Sequence, residues 1–276
     1  MVGQYSRSCF GLEARFGKPK REPRDARRTD PAPLMKNLPE VPDLRLDSLN
    51  ERGLEGCRNI LAKTGVVCLN LAFPDPDSRT LQALASTIGC PHSHSTSGDI
   101  LWDVSPLVAP GEGARSHTTL PFPLHTDCSF EDPTPRYVGL HVLTQDRFGG
   151  GQSLLAEAPG AVERLENWQK EALTQDFLFQ VPEEFRKGVP TRKLPILVEE
   201  RIRYRREIIN EELCSREQVE TLNRFEDLLT QQTIKFTLRE NSILLLDNWR
   251  FLHGRTEVLD PARHLRRIRF HQKSGL

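Results

Sequence analysis

The sequence predicts a mainly β domain, a sandwich or barrel of short strands with helices at its flanks, and three observations lead there. Between residues 100 and 158 the chain breaks into short apolar runs bounded by Pro and Gly, "ILWDVSP", "LPFPLHTDCSF", "YVGLHVLT" and "FGGGQSLLAEA". That spacing belongs to an all-β sandwich or barrel. Stretches with apolar residues at helical intervals stand before and after this region, and the last part returns to strand patterns in "SILLLDNW" and "HLRRIRFHQ". A chain of 276 residues without internal repeats suits one large domain.

Residues 1–40, including "FGKPKREPRDARRTDPAP", are rich in Lys, Arg and Pro without an apolar period, and read as a disordered basic arm. Residues 41–276 then form the single domain. "SLNERGLEGCRNILAKTG" sets Leu54, Cys57, Ile60 and Leu61 at helical spacing and stops at Gly65, before the buried-strand composition of "VVCLNLAF". Ser78 precedes a second helix face, Leu81, Leu84, Ala85 and Ile88, which Gly89 closes. After the central strands, "AVERLENWQKEAL" and "SREQVETLNRFEDLLTQQ" read as amphipathic helices, and "KLPILVEE" and "RIRYRREII" as strands between them.

Bulk properties narrow the function. The 38 basic and 38 acidic side chains cancel, so no overall field recruits nucleic acid or an anionic membrane. Six cysteines, at 9, 57, 68, 90, 128 and 214, contain no Cys-x-x-Cys and read as free thiols in a reducing compartment. No apolar run approaches a membrane span, and no charged-then-apolar leader with a cleavage site is visible. The expectation is a cytoplasmic protein whose partners are selected locally rather than by its overall charge.

The chemistry is concentrated in two stretches. In "PFPLHTDCSF", His125 and Asp127 are two residues apart, and in a strand such side chains share a face and converge. Further on, the buried-looking strand "SILLLD" ends at Asp247, after which a polar turn presents His253 beside Gly254. His-x-Asp with a distant His makes the two-His, one-carboxylate set that leaves coordination positions open on non-haem Fe(II). Trp102, Asp103, His117, Phe122 and Phe130 lie near the first pair and are candidates for a pocket wall.

With "HTD", "GGQS" (Gly150 to Ser153), "DNWRFLHGR" and "RHLRR" in that order, the chain from about Gly65 to Phe270 resembles the TauD/TfdA-type Fe(II)- and 2-oxoglutarate-dependent oxygenases. Clavaminate-synthase-like and butyrobetaine-hydroxylase-like enzymes belong to the same group. The resemblance implies a double-stranded β-helix, a jelly roll of the clavaminate-synthase-like type, with metal ligands His125, Asp127 and His253 in its mouth. It assigns Arg263, ten residues after His253, to the far carboxylate of 2-oxoglutarate, where a guanidinium fork suits a bidentate pair. Ser153 matches a hydroxyl that serves the same carboxylate. Arg267 is a second arginine for substrate or cosubstrate, and Arg266 and Arg269 are read as solvated.

The implied reaction uses Fe(II), 2-oxoglutarate and O2, with ascorbate as a stimulant, and releases succinate and CO2 while a C–H bond of the substrate is hydroxylated. Halogenases of the group have a small residue where Asp127 stands, so the carboxylate favours hydroxylation, with desaturation or ring closure as variants. The closing motifs tilt the substrate toward a small amine- or carboxylate-bearing molecule or an intermediate of specialised metabolism. Two rivals remain: a catalytically silent jelly roll that only binds, and a Zn-dependent hydrolase using the same three ligands.

Overall fold

In the computed structural model, which describes residues 40–93, 98–107, 113–186 and 188–273, the apolar runs build two main sheets, beside two short two-stranded pairs. The first elements are β1 (Asp43–Leu46), α1 (Glu51–Thr64), β2 (Val66–Leu71), α2 (Arg79–Ile88), β3 (Gly89–His92) and β4 (Leu101–Val104). Next come β5 (Phe122–His125), β6 (Tyr137–Thr144), β7 (Ser153–Glu157), α3 (Ala158–Glu163), α4 (Asn167–Thr174), β8 (Asp176–Gln180) and β9 (Thr191–Pro195). The remainder is β10 (Leu197–Val198), β11 (Arg201–Ile202), α5 (Arg216–Gln231), β12 (Ile234–Phe236), β13 (Ser242–Asp247), β14 (Phe251–Arg255) and β15 (His264–Gln272).

The larger sheet runs β1-β2-β13-β6-β15-β3, with β4 also paired to β15, and the smaller runs β12-β7-β14-β5. The period-two rule explains how they stack. In β13, Leu244 and Leu246 join an inner core with Val66, Val138, Leu155 and Phe251, whereas Ile243 and Leu245 face outward onto Leu61, Leu81, Leu84 and Ile88 of α1 and α2. The smaller sheet divides likewise. Leu155 and Phe251 face the inner core, while Ala156 and Leu252 join the cluster of Leu173, Leu222, Phe225 and Leu229 on α4 and α5. Two sheets thus share one apolar layer, and each is covered outside by helices.

Helix ends account for the main local differences from expectation. α1 begins at Asn50, whose Oδ1 accepts from Gly53 N–H, and ends at Gly65 in the left-handed region, φ 77°. Ser78 does precede α2, but it has φ 54° and its hydroxyl is hydrogen-bonded with Nδ1 of buried His141 at 2.9 Å. The cap is Asp75, whose two carboxylate oxygens accept from Arg79 and Thr80 N–H at 2.8 and 2.9 Å. Gly89 does not turn left-handed; it enters β3 in extended form, where a Cβ would collide with the His271 carbonyl.

"AVERLENWQKEAL" divides into α3 and α4, because Glu166 starts a new helix with a capping box to Gln169. α5 keeps the expected span from Ser215, which forms its own capping box with Gln218. In "RIRYRREII" only Arg201–Ile202 is strand, followed by a turn of 3-10 helix at Arg206–Ile208. β1, β3, β8 and β12 carried too few alternating residues to be read as strands. The basic arm expected over residues 1–40 lies outside the described residues apart from Glu40. Cys57, Cys68, Cys90, Cys128 and Cys214 are free thiols, and Cys9 lies outside the described residues. Among the described residues no helix is long and apolar enough to cross a membrane.

The Asp75 cap is the testable point of this architecture. Asp75→Ala is expected to lower stability by about 0.5–2 kcal/mol, the usual worth of a helix N-cap, read as an earlier midpoint in urea. An unchanged midpoint would mean that water serves the two amides equally well.

Candidate metal and cosubstrate site

Strand pairing brings the two histidines together. β5 runs antiparallel to β14 with His125 opposite His253, so both imidazoles rise from one face of the small sheet, ring centroids 4.5 Å apart. His253 sits inside a strand, third of five residues in β14, and the expected polar turn is confined to residues 248–250. Asp127 reaches the same point by a different route from the strand alternation expected. β5 ends at His125; beyond it Thr126 is buried, its N–H donating to the Tyr204 carbonyl at 2.6 Å.

Asn248 then fixes the Asp127 backbone. Its Oδ1 accepts from Asp127 N–H at 2.9 Å, and its amide donates to the carbonyls of Asp127 and Pro135 at 3.0 and 2.8 Å. One ligand atom each from His125, Asp127 and His253 lies within 4.8 Å of the others, and all three side chains are buried.

The protonation states suit a divalent cation. His125 Nδ1 faces the Pro123 carbonyl at 2.9 Å; a carbonyl only accepts, so this nitrogen carries the proton and Nε2 keeps its lone pair. Nε2 of His125 and Nδ1 of His253 are buried without a hydrogen-bond partner, and a buried polar atom left so costs free energy. Burial pushes the His253 imidazole down to about 3, with the neighbouring His125 adding to the effect, and burial likewise lowers His125. Both rings are therefore neutral at pH 7. Burial raises the Asp127 carboxyl, but Arg267 and Arg269 outweigh it and hold the group well below the usual carboxylate range. Two neutral imidazoles and one carboxylate are the donor set of a facial Fe(II) site, so the residues fit that ion.

Beside this point a cavity is lined by His125, Ser153, His253, Arg255, Arg263 and Arg267 among others. Gly151, with φ 57°, lets the Arg263 side chain cross the loop before β7, where any Cβ would meet Nε. Arg263 is 6% exposed, and its Nη2 donates to the Gly151 carbonyl at 3.4 Å. Burial brings its guanidinium down to about 10, still protonated at pH 7. Such a group calls for an anion.

The inner face of β15 was only half legible. Arg267 Nη1 donates to Asp127 Oδ1 at 3.1 Å, and its Nε is buried and unpartnered. Arg269, expected to be solvated, is 2% exposed; its Nε donates to Asp127 Oδ2 at 3.1 Å and its Nη1 to Cys128 Sγ at 2.6 Å. Strand alternation along β15 puts Arg269 on the face of Arg267, and that signal was available. Arg266 lies on the other face, bonded to Asp103 and the Pro76 carbonyl.

Of the pocket candidates, Trp102, Phe122 and Phe130 line a small chamber against Asp127, together with Arg115, Phe185 and Arg205. Asp103 and His117 do not line it. Asp103 bonds His264 and Arg266, while His117 stacks on Trp102 with centroids 5.1 Å apart and binds the Asp103 carbonyl. Asn248, Arg205 and Arg255 were missed. Arg255 donates to the carbonyls of Leu120 and Thr118, both at 2.6 Å, and so braces the approach to β5.

Residues 32–269 match the family model "Taurine catabolism dioxygenase TauD, TfdA family". The fold is similar to that of an asparagine oxygenase solved with Fe(II), 2S,3S-3-hydroxyasparagine and succinate, with a TM-score of 0.69 and 19% identity over 80% of this chain and 78% of that one. It is also similar to the non-heme iron oxygenase OrfP solved with Fe and alpha-ketoglutaric acid, with a TM-score of 0.66 and 15% identity over 80% of this chain and 82% of that one. The two-sheet frame is the jelly roll of these oxygenases. No curated protein matches the sequence.

Asn248→Ala is the test of how Asp127 is held. Loss of the amide is expected to weaken divalent-metal affinity about 10–100-fold, as removal of an outer partner of a ligand does, with a stability cost of about 1–3 kcal/mol for the polar groups left unpaired. Isothermal titration with Fe(II) under anaerobic conditions measures the first, chemical denaturation the second. Unchanged affinity would show that the Asp127 carboxylate is placed by Arg267 and Arg269 alone.

Proposed function

This chain belongs to the taurine catabolism dioxygenase TauD, TfdA family, and from that premise we propose that His125, Asp127 and His253 hold its Fe(II) and that Arg263 and Ser153 receive the far carboxylate of 2-oxoglutarate. The protein is an Fe(II)- and 2-oxoglutarate-dependent dioxygenase. Fe(II) and 2-oxoglutarate held there would supply, with O2, the oxidising capacity for hydroxylation of a substrate C–H bond, one oxygen atom going to the substrate and the other to succinate, with loss of CO2. The observation that carries the residue assignment is the buried cluster of His125, Asp127 and His253, with one ligand atom of each within 4.8 Å of the others, beside the Arg263 cavity.

The chain's own residues bind, orient and exclude water. His125 is held in one tautomer by the Pro123 carbonyl and stacked on Phe122, centroids 3.8 Å apart. Asn248 sets the Asp127 backbone, and Arg267 and Arg269 keep its carboxylate ionised. Arg263 offers a fixed fork to a carboxylate at the end of an apolar slot formed by Val104, Leu140 and Leu265. Since Asp127 fills the third ligand position, hydroxylation is the outcome assigned, with desaturation or cyclisation as variants of the same C–H attack.

The chamber on the Asp127 side is assigned to the substrate. Its Arg115, Arg205, Arg267 and Arg269 outnumber Glu184 and Asp127, which favours a molecule carrying a carboxylate, and Trp102, Phe122, Phe130 and Phe185 confine its apolar part. Glu184 suits an accompanying amine. An amino acid or close derivative meets both demands, in keeping with the hydroxyasparagine and hydroxyarginine bound by the similar oxygenases. The free thiols support the cytoplasm as its compartment. The arginine cavity has no part in zinc hydrolysis, and a silent binding protein would not need both metal and cosubstrate handles.

Succinate release decides among these readings. With Fe(II), 2-oxoglutarate, O2 and a library of amino acids and betaines, at least one compound is expected to raise succinate formation; activity that survives iron removal and needs only zinc overturns the assignment. His125→Ala, Asp127→Ala and His253→Ala are each expected to abolish turnover and lose metal. Full succinate production by iron-loaded His253→Ala would refute the ligand set.

Arg263→Ala separates cosubstrate from metal. It is expected to raise the 2-oxoglutarate requirement steeply, by the equivalent of about 2–5 kcal/mol for a buried charge pair, with iron affinity nearly unchanged. Arg263→Lys should recover only part, because one ammonium does not reproduce the planar fork. Steady-state kinetics against 2-oxoglutarate provides the readout.

A further inference from the structure

We propose that His92, Cys128 and Glu131 form a second metal site, distinct from that of His125, Asp127 and His253, which takes a borderline divalent ion such as Zn2+ or Co2+. One ligand atom from each of the three lies within 4.8 Å of the others. The inference goes beyond the oxygenase reading and does not depend on it.

The turn after β5 and the edge of the large sheet create this cluster. Cys128 follows Asp127 with φ 54°, a left-handed residue, and Glu131 N–H closes the turn on the Cys128 carbonyl at 2.8 Å, bringing carboxylate and thiol together. His92 arrives from the end of β3, which pairs with β15 opposite Arg269. Its Nε2 lies 2.9 Å from Glu131 Oε2, and its Nδ1 lies 3.1 Å from Nε2 of His271. With Nε2 on a cation, Nδ1 carries the proton and donates it to His271, the outer-shell arrangement that fixes a ligating imidazole.

Sulfur, nitrogen and oxygen donors together select zinc-like ions over magnesium or calcium. A tetrahedral zinc with ordinary bond lengths holds its donors roughly 3.3–3.5 Å apart, so closure from the present spread requires side-chain movements of about an ångström or less. Binding releases the Cys128 thiol proton to solvent. Arg269 Nη1, 2.6 Å from Sγ, then becomes a donor to the bound thiolate. Two of the three donor residues, His92 and Glu131, line a cavity of about 400 Å³ with Phe130, Phe185 and His271, among others, which gives the ion an entry path. The two sites are linked by one side chain, since the same Arg269 guanidinium holds Cys128 Sγ and Asp127 Oδ2.

Cobalt distinguishes the sites, because the His125, Asp127, His253 set contains no sulfur. Metal-free full-length protein titrated with Co2+ alone is expected to bind two equivalents and to develop a near-ultraviolet thiolate-to-cobalt charge-transfer band. Cys128→Ala should bind one equivalent without the band; His253→Ala should lose the other equivalent and keep it. Wild-type protein that binds cobalt without the band overturns the proposal, as does a band that survives Cys128→Ala and disappears on changing Cys90 or Cys214. If Cys128→Ala fails to fold, Glu131→Gln and His92→Ala decide the matter. Each should weaken the band-forming equivalent at least about tenfold, and cobalt dependence unchanged in both refutes the site.

Discussion

The carboxylate of Asp127, enclosed by Arg267 and Arg269, is the constraint on which the rest of the site depends. An ionised carboxylate that is 4% exposed needs charged partners; taking one away from such a pair costs about 3–5 kcal/mol. Here β15 supplies two guanidiniums from alternate positions, one to each oxygen. Two positive charges against one negative leave a buried excess of cation even before a metal is considered. Anions are therefore the natural complement of this interior, and a dianionic cosubstrate and a carboxylate-bearing substrate both answer that need. Burial is what keeps the nearby imidazoles neutral, and at His253 the two guanidiniums add to it.

The frame delivers these groups through a division of labour between the sheets. The small sheet sets the spacing of the two imidazoles through one register pair, His125 and His253. The large sheet contributes the arginines from β15, a strand held on one side by β6 and on the other by β3 and β4. Because β13 and β2 are buried on both faces, the large sheet has little freedom to shift. Strands hold the two imidazoles, and the turn that follows β5 brings Asp127 beside them.

Much of this was legible in the sequence, and the limits have physical causes. Longer runs are legible for different reasons: "SILLLD" is continuously apolar, as suits a strand buried on both faces, and "HLRRIRFHQ" alternates, while the separated motifs point to the proposed ligand types. Short strands are not: β14 divides its apolar residues between two cores, Phe251 in one and Leu252 in the other, and β12 offers only Ile234 and Phe236. Asn248 left no local mark at all: its partner, Asp127, lies 121 residues away. Arg269 is the opposite case, for it obeyed the same alternation used for His125 and Asp127 and was misread because arginine on a strand is ordinarily solvated.

The corner at residues 248–250, described above as the turn between β13 and β14, also acts as a length gauge. Asn248 is fastened to the Asp127 backbone, the Trp249 indole N–H to the Thr134 carbonyl at 2.9 Å, and Arg250 to Glu157 at 3.0 Å. These three anchors fix how much chain lies between the end of one sheet and His253 in the other. Adding or deleting a single residue there would displace one anchor or rotate His253 out of the interior, where Leu252 now points. Variation in loop length is thus confined to other parts of the molecule, and the distance from corner to imidazole is a quantity this fold has no freedom to change.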